Sequence, residues 1–475
     1  MREGIPVLWD SFFDIKKDLR RKGRNRRKEH RMRELTRGNI SKCILLFTLP
    51  VFIGNLFNLA YSLADTRIIG SYLGHETLAA VGSVSTLSDF LISFIIGLAN
   101  GFAVVTARYF GMGDREKVRK CFAVSLFLGG IITFLLIAVS LIGMDGIFSF
   151  LHVAKEQEKE AAEYIIVIIY GMIFSIFYNV LAANLRAIGD AYTPLLFLIL
   201  SAVLNIGLDL LCVGTFHMGV KGAAIATVIS QMFSLLLCFV YIWRKYEFLR
   251  FGFSDFKWDG YLSGQLLPAG FSMGLMTCLV AFGTLALQTA INKLGTDIIV
   301  AHAATRKLTN MYMVPFAALG TTIATFSGQN YGAGKVERIK KGLKSTLLMS
   351  YVWCAVVVWI SYTICPRLIV AITDTHNTKV IETACLYQRV DTLFYLLVPT
   401  ITILRNSLQG IGDHTTPIIS SGLELVGKVA IAMLLSPILE YWAIIWAEPI
   451  IWSIMVIPLI ISMVKRLRRM SQIAE

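Results

Sequence analysis

Two acidic residues sit where an apolar sequence should not tolerate them. Asp65 lies late in one apolar block, in Tyr61-Ser62-Leu63-Ala64-Asp65-Thr66, and Asp209 lies well inside another, in Asn205-Ile206-Gly207-Leu208-Asp209. Asn205 and Asp209 are four residues apart and share one helix face, and Thr227 follows in the next apolar block. Carboxylate, carboxamide and hydroxyl oxygens suit a hard cation, while two carboxylates in a low-dielectric cavity repel one another until a proton or cation neutralises them. Asp65, Asn205, Asp209 and Thr227 therefore read as a site for a proton or a sodium ion, and the residue types do not choose between the two. For Asp65 the plainer alternative is an interfacial charge beside Arg67.

The elements that must position these groups are set by composition. Of 475 residues, 56% are hydrophobic and 16% charged, against about 25% charged in soluble domains, which excludes an ordinary soluble enzyme. Apolar blocks fall at 41–66, 85–107, 121–142, 163–184, 193–213, 220–243, 264–290, 308–328, 344–364, 387–406, 416–436 and 443–464. Each reaches the roughly 20 residues a bilayer span needs, and each is too long for a barrel strand, so only helices satisfy the backbone in lipid. The expected fold is an all-α integral membrane protein with twelve transmembrane helices.

Lys and Arg fix the expected orientation. Arg108, Arg115, Lys117, Arg119 and Lys120 follow the second span, Lys335, Arg338, Lys340, Lys341 and Lys344 follow the eighth, and Lys465, Arg466, Arg468 and Arg469 end the chain. The linker after the third span instead carries Glu156, Glu158, Glu160 and Glu163 against Lys155 and Lys159. Both termini are then expected in the cytoplasm, in a multi-pass protein of the plasma membrane. Counting 1.5 Å per residue from Pro194 places Asp209 about 22 Å into the bilayer, and Thr227 lies about 9 Å from the outer surface. Asp65 reaches a similar level or somewhat higher, so the four side chains can meet.

The net charge of +14 includes thirteen Lys and Arg in residues 1–38. Anionic lipid headgroups account for basic residues beside spans, and no aromatic platform accompanies the segment from Lys16 to Arg37 to make it a nucleic-acid site. No signal peptide is evident. Residues 1–34 are expected to be a basic, disordered cytoplasmic extension, with Met1 and Met32 both possible starts. The eight cysteines, Cys43, Cys121, Cys212, Cys238, Cys278, Cys354, Cys365 and Cys385, form no C-x-x-C pair and read as small buried hydrophobes, neither a zinc site nor a disulfide framework.

An internal repeat organises the chain. Leu185-Arg186-Ala187-Ile188-Gly189-Asp190-Ala191-Tyr192-Thr193-Pro194 matches Leu408-Gln409-Gly410-Ile411-Gly412-Asp413-His414-Thr415-Thr416-Pro417 at six of ten positions. Leu49-Pro50 pairs with Leu267-Pro268, and Tyr109-Phe110-Gly111-Met112-Gly113 with Asn330-Tyr331-Gly332-Ala333-Gly334. The chain reads as a tandem parallel repeat of six-span halves: lobe one at 35–243, a cytoplasmic linker at 244–263, lobe two at 264–464 and a basic tail at 465–475. An even number of spans per half relates the copies by an axis along the membrane normal, the arrangement of transporters that rock two lobes about a central site. In both Gly-Asp-x-x-Thr-Pro copies the glycine (Gly189, Gly412) can end a helix left-handed, the proline (Pro194, Pro417) suits the next helix start, and Asp190 and Asp413 can cap it.

The acids are not repeated. At the 223-residue offset Asn205 and Asp209 correspond to Lys428 and Ala432, and Asp65 falls on Gly283 or Ala286. Glu424 and Lys428, four apart, read as an internal ion pair rather than a substrate site, and Glu448 is left without a role.

With these residues in hand, Leu35-Thr36-Arg37-Gly38, Ala64-Asp65-Thr66 with Gly70, the two Gly-x-Gly linkers, both Gly-Asp turns, Asn205 to Asp209, and Gly222-Ala223-Ala224-Ile225-Ala226-Thr227 together resemble the multidrug and toxic compound extrusion (MATE) family over residues 35–464. The resemblance implies two six-helix bundles in a V and export of amphipathic, often cationic drugs, coupled to inward movement of protons or sodium. It carries the cation site onto Asp65, Asn205, Asp209 and Thr227, with Tyr61 as a cavity neighbour. It also implies no cofactor beyond the coupling ion, no metal other than sodium, no enzymatic activity and a monomer whose partners are small organic substrates and membrane lipids. Two departures stand out. Arg108 occupies a position where Gln is common, which Gln329 keeps in the second half, and Met276 replaces the acid some members carry in the seventh span, which argues against a second coupling site. A flippase for lipid-linked sugars would need a cavity rich in Arg and Lys, and a membrane-embedded transferase would need clustered acids around Mg²⁺; both are weaker readings.

Overall fold

The computed structural model describes residues 35–150, 155, 157–256 and 259–474. The expected N-terminal extension at 1–34, with the alternative start at Met32, and Glu156 lie outside the described residues. The described chain is helical throughout, with no strand. The first half comprises α1 (Ile40–Gly74), α2 (Val81–Met112), α3 (Arg115–Ile142), a short α4 (Met144–Phe150), α5 (Glu158–Ala187), α6 (Tyr192–Asp209) and α7 (Gly219–Lys245). The second comprises α8 (Gly260–Ile291), α9 (Thr296–Gly332), α10 (Val336–Thr363), α11 (Cys365–Thr373), α12 (Thr378–Leu393), α13 (Leu397–Gly410), α14 (Thr415–Ala430), a one-turn α15 (Ser436–Leu439) and α16 (Tyr441–Ala474).

Ten of the described helices are long and apolar enough to cross a membrane, which makes the chain a multi-pass membrane protein. The other two expected spans are present in altered form. Span 308–328 lies within α9, which starts earlier and carries Asp297, His302, Arg306 and Lys307 in its first turns. Span 387–406 is broken at 394–396, where the fully buried Tyr395 interrupts the helix between α12 and α13.

The repeat extends to details the sequence does not show. Short helices α4 and α11 occupy equivalent connections, and both α6 and α14 unwind into a π-helical turn, Leu210–Thr215 and Ile431–Leu435. Pro50 and Pro268 lie inside the matching helices α1 and α8.

Three segments at the edges of the expected halves are packed or helical. Leu35, Ile44 and Phe47 belong to the core of the second half rather than the first. The carbonyls of Leu35, Thr36 and Gly38 accept from Arg338, Lys335 and Arg338 respectively, so the start of α1 straps the lobes together. The linker at 244–263 is packed, because Tyr246, Leu249 and Phe251 are apolar enough to join the first core, and Asp255 pairs with Arg119 at 3.3 Å. Residues 465–474 continue α16 as helix.

The lobes meet along α2, whose Gly97 and Gly101 face Gly270 and Gly274 of α8. A Cβ on Gly97 would lie 2.8 Å from the Gly274 Cα, and one on Gly101 would run into the Ala269 carbonyl oxygen. Small residues four apart let two helices touch backbone to backbone in lipid. Gly111 and Gly332, the first glycines of the two Gly-x-Gly turns, likewise press against the backbone of Gln329 and Arg108.

Candidate functional site

The helix ends are set by the repeated turns. Gly189 and Gly412 adopt φ of 93° and 95°, left-handed values that suit glycine. Asp190 Oδ1 accepts from the Thr193 N–H at 3.1 Å, and Asp413 Oδ1 from the Thr415 and Thr416 N–H groups at 3.2 and 3.1 Å. These caps anchor the starts of α6, which carries Asn205 and Asp209, and of α14, which carries Glu424 and Lys428.

Burial works against the Asp413 charge, but hydrogen bonds from Ser462 and Thr416, with Arg466 close by, outweigh it and hold the carboxyl below its ordinary value of 3.8. Such a depressed group stabilises the fold above that value and loses its contribution as the pH falls through it. Asp413→Asn is expected to destabilise the protein at neutral pH by about 1.5–3 kcal/mol, the worth of hydrogen bonds to a charged group. Thermal unfolding in detergent should show the deficit steady from neutral to mildly acidic pH and shrinking below the ordinary value of 3.8.

The structure brings together all five side chains singled out in the first half. Asp209, from the end of α6, is fully buried, and its carboxyl lies against that of Asp65 from α1. The Asn205 amide lies between Asp209 and Thr227 of α7. In the orientation that satisfies both ends, Nδ2 donates to Asp209 Oδ2 at 2.8 Å and Oδ1 accepts from the Thr227 N–H at 3.2 Å. Tyr61, one turn before Asp65, places its hydroxyl 3.5 Å from Thr227 Oγ1. The π turn that begins after Asp209 is a distortion found often at functional positions.

Asp65 and Asp209 each keep one buried oxygen, Oδ1, with no hydrogen-bond partner, and neither makes an ion pair among the described residues. Arg67 is exposed and does not pair with Asp65. The pocket thus holds two adjacent carboxyls in an apolar setting with no base among the described residues to balance them. Tyr164 of α5 also faces it, and Asp89 of α2 lies near that tyrosine. The rule that singles out Asp209, an ionisable residue inside an apolar block, applies also to Asp89, within the block 85–107.

The second half differs in kind. Lys428 Nζ reaches Glu424 at 3.0 Å, the expected pair, but also Glu448 at 3.0 Å; Arg405 meets Glu424 at 3.3 Å, and Arg306 approaches Glu448 at 3.9 Å. Asp391 of α12 is buried beside Glu448, Arg306 and Lys428 and keeps an unpartnered Oδ1. The expected Glu424–Lys428 pair is thus present inside a larger cluster, and Glu448, without a role in the sequence, pairs with Lys428. Alignment at the repeat offset asks only for matched acids, whereas Asp391, Arg306 and Arg405 come from other helices. Three bases here face three acids, so this cluster balances its own charge. Among the described residues, no group of three or more His, Cys, Asp or Glu is arranged to hold a metal ion. All eight cysteines are free, although Cys385 and Cys365 bring their sulfurs to 3.2 Å.

The two halves lock beside the Gly-x-Gly turns. Arg108 Nε donates to the Gly410 carbonyl and Nη2 to the Gln409 carbonyl, both at 2.9 Å, capping the end of α13. Reciprocally, Gln329 Nε2 donates to the Ala187 carbonyl at the end of α5 at 2.8 Å. His414, whose charge is disfavoured by burial and by Arg108, has its value lowered to about 4, so its neutral ring sits at 3.5 Å from Arg108 without repulsion.

Two duplicated helical lobes, locked at one end and enclosing a buried acidic pocket, define a two-lobed membrane protein of the transporter type. The MatE family matches residues 50–211 and 272–434, and the chain belongs to that family. It is 29% identical over 310 residues to a Bacillus subtilis (strain 168) protein described as "Probable multidrug resistance protein YpnP", covering 64% of this chain and 68% of that one. A second protein of that strain, "Probable multidrug resistance protein YoeA", is 26% identical over 84% of this chain and 87% of its own. Among solved structures, "Crystal structure of MATE in the bent conformation" superimposes with a TM-score of 0.86 at 23% identity, over 92% of this chain and 98% of that one, a likeness of fold.

Proposed function

We propose that this protein is a secondary transporter that exports amphipathic organic compounds, driven by inward movement of a proton or a sodium ion through the Asp65–Asp209 pocket. The observation that carries the reading is the pair of adjacent carboxylates, each with a buried unpartnered oxygen and no basic partner. A buried surplus charge is costly, and a reversibly bound cation relieves that cost. Asn205, Thr227 and Tyr61 supply neutral oxygens that suit sodium; the paired carboxyls alone suffice for a proton. The balanced cluster of the second half needs no such ion. A cationic drug, the cargo suggested by the family resemblance, would compete with the coupling ion for the acidic pocket itself.

The packing supports a reading of alternating access. The Arg108 and Gln329 bonds and the glycine contacts of α2 hold the lobes together at one end of the molecule, and the distribution of Lys and Arg supports taking that end as the cytoplasmic one. Rocking the lobes would break a small set of polar bonds there and expose the space between them. Cation binding and cargo binding that favour different states would then be coupled through population shift. No step breaks a covalent bond of the cargo. A flippase for lipid-linked sugars is less well supported, because Arg405, Lys428 and Arg306 are paired with glutamates and not free for a pyrophosphate.

The test is uptake of fluorescent amphiphiles of either charge into proteoliposomes under a proton gradient or a sodium gradient imposed separately. Uptake driven by one ion establishes antiport and names the ion. No uptake of either amphiphile with either gradient, by folded protein, overturns the reading.

A further inference from the structure

The space between the lobes has the opposite polarity from the acidic pocket. It is a cavity of about 240 Å³ where α2, α5, α8, α9 and α13 face one another. Met273 and Met276 contribute flexible apolar wall, and Thr321, Thr325 and Asn100 contribute neutral polar groups; among the described residues Arg186 is the one ionisable group lining the cavity, and no carboxylate does. Arg186 Nη2 donates to Asn100 Oδ1 at 3.2 Å, and among the described residues the guanidinium makes no ion pair. One of its five donors is thereby used. The last turn of α5, where Arg186 sits, offers it only the partial negative charge of a helix C-terminus. The other buried bases are committed: Arg405 and Lys428 to glutamates, and Arg108 to carbonyls.

We propose that this cavity binds the anionic group of an amphipathic organic anion, with Arg186 as its counter-ion and the methionine wall taking its apolar body. A guanidinium presents a planar fork that matches a carboxylate, sulfonate or phosphate, and methionine adapts to apolar groups of differing shape. The inference rests on the transport reading above and gives the cargo the charge opposite to the one the resemblance suggests.

The test uses the full chain in phosphatidylcholine nanodiscs with two probes that share one fluorophore, dansylglycine, a carboxylate, and dansylcadaverine, an ammonium. Wild type is expected to bind dansylglycine about tenfold more tightly, the scale of one charge-assisted hydrogen bond. Arg186→Gln should abolish the preference and Arg186→Lys retain it. Thr321→Glu, which leaves Arg186 in place and adds a carboxylate to the wall, should weaken dansylglycine and favour dansylcadaverine. Equal binding of the two probes by wild type, or unchanged dansylglycine binding by folded Arg186→Gln, overturns the proposal. Phosphatidylglycerol added to the nanodisc separates the sources of the anion. Competition that depends on Arg186 assigns the site to a lipid headgroup, and its absence assigns it to a soluble organic anion. Selective anion binding without gradient-driven uptake of either probe would defeat the transport reading alone. Uptake of dansylcadaverine that Arg186→Gln leaves unchanged, with dansylglycine not transported, would defeat this inference alone.

Discussion

Asp209→Asn is expected to reduce gradient-driven uptake to the level of empty liposomes, a loss of about tenfold or more given that each 1.4 kcal/mol of lost ion binding is a factor of ten. The substitution is nearly isosteric, so it leaves the packing of α6 and the neighbourhood of Asn205 in place while removing the charge. An amide neither releases a proton nor neutralises a sodium ion, and Asp65 alone no longer forms a two-carboxylate site. Asp65→Asn should behave in the same way. Asp89→Asn is the informative neighbour, because Asp89 faces Tyr164 but takes no part in the Asn205–Thr227 bridge; its effect should be smaller. Initial rates in proteoliposomes at matched protein content make the comparison, and full uptake by Asp209→Asn would remove the acidic pocket from the mechanism.

The second large effect is expected at Gly101. Its Cβ position is occupied by the Ala269 backbone of the other lobe, with Gly270 Cα only 2.5 Å away. Backbone cannot step aside as a flexible side chain would, so Gly101→Val should keep α2 from closing on α8. Uptake should fall to background, and the lobes should stay parted at the end that carries the Gly-x-Gly turns. A cysteine introduced at Thr325, in the wall of the inter-lobe cavity, should then react with a membrane-impermeant maleimide from that end, and do so slowly in the parent. Gly82→Ala is the control, since nothing lies within 4 Å of its Cβ position. Normal uptake and unchanged labelling in Gly101→Val would mean that the glycine contact is not needed for closure.

What the sequence made legible follows from how each feature is encoded. Spans are sums over consecutive residues, so α1–α3, α5–α8, α10, α14 and α16 are visible as apolar blocks. The acids of the first half are visible because each breaks such a block, and helical spacing and depth suffice to place Asn205 beside Asp209 and both near Thr227. The turns around Gly189 and Gly412 are legible because glycine, aspartate and proline each act locally. Features that depend on which face meets which partner are not written in that way. The facing glycines of α2 and α8, the Arg108 bond to the end of α13, and the packing of Leu35, Ile44 and Phe47 into the other half all join residues far apart in sequence. The charge cluster of the second half was hidden for a related reason, since its balance requires Arg306, Asp391 and Arg405 from three helices that no single window contains.

We propose that Asp65 and Asp209 together hold the coupling ion and surrender it when cargo binds. The most direct measurement adds a transported amphiphile to purified protein and follows two signals in parallel, proton release into weakly buffered solution and displacement of radioactive sodium. Wild type is predicted to give one of these signals and the double variant Asp65→Asn, Asp209→Asn neither, with the protein still folded. An undiminished signal from the double variant would place the coupling ion elsewhere and contradict the account.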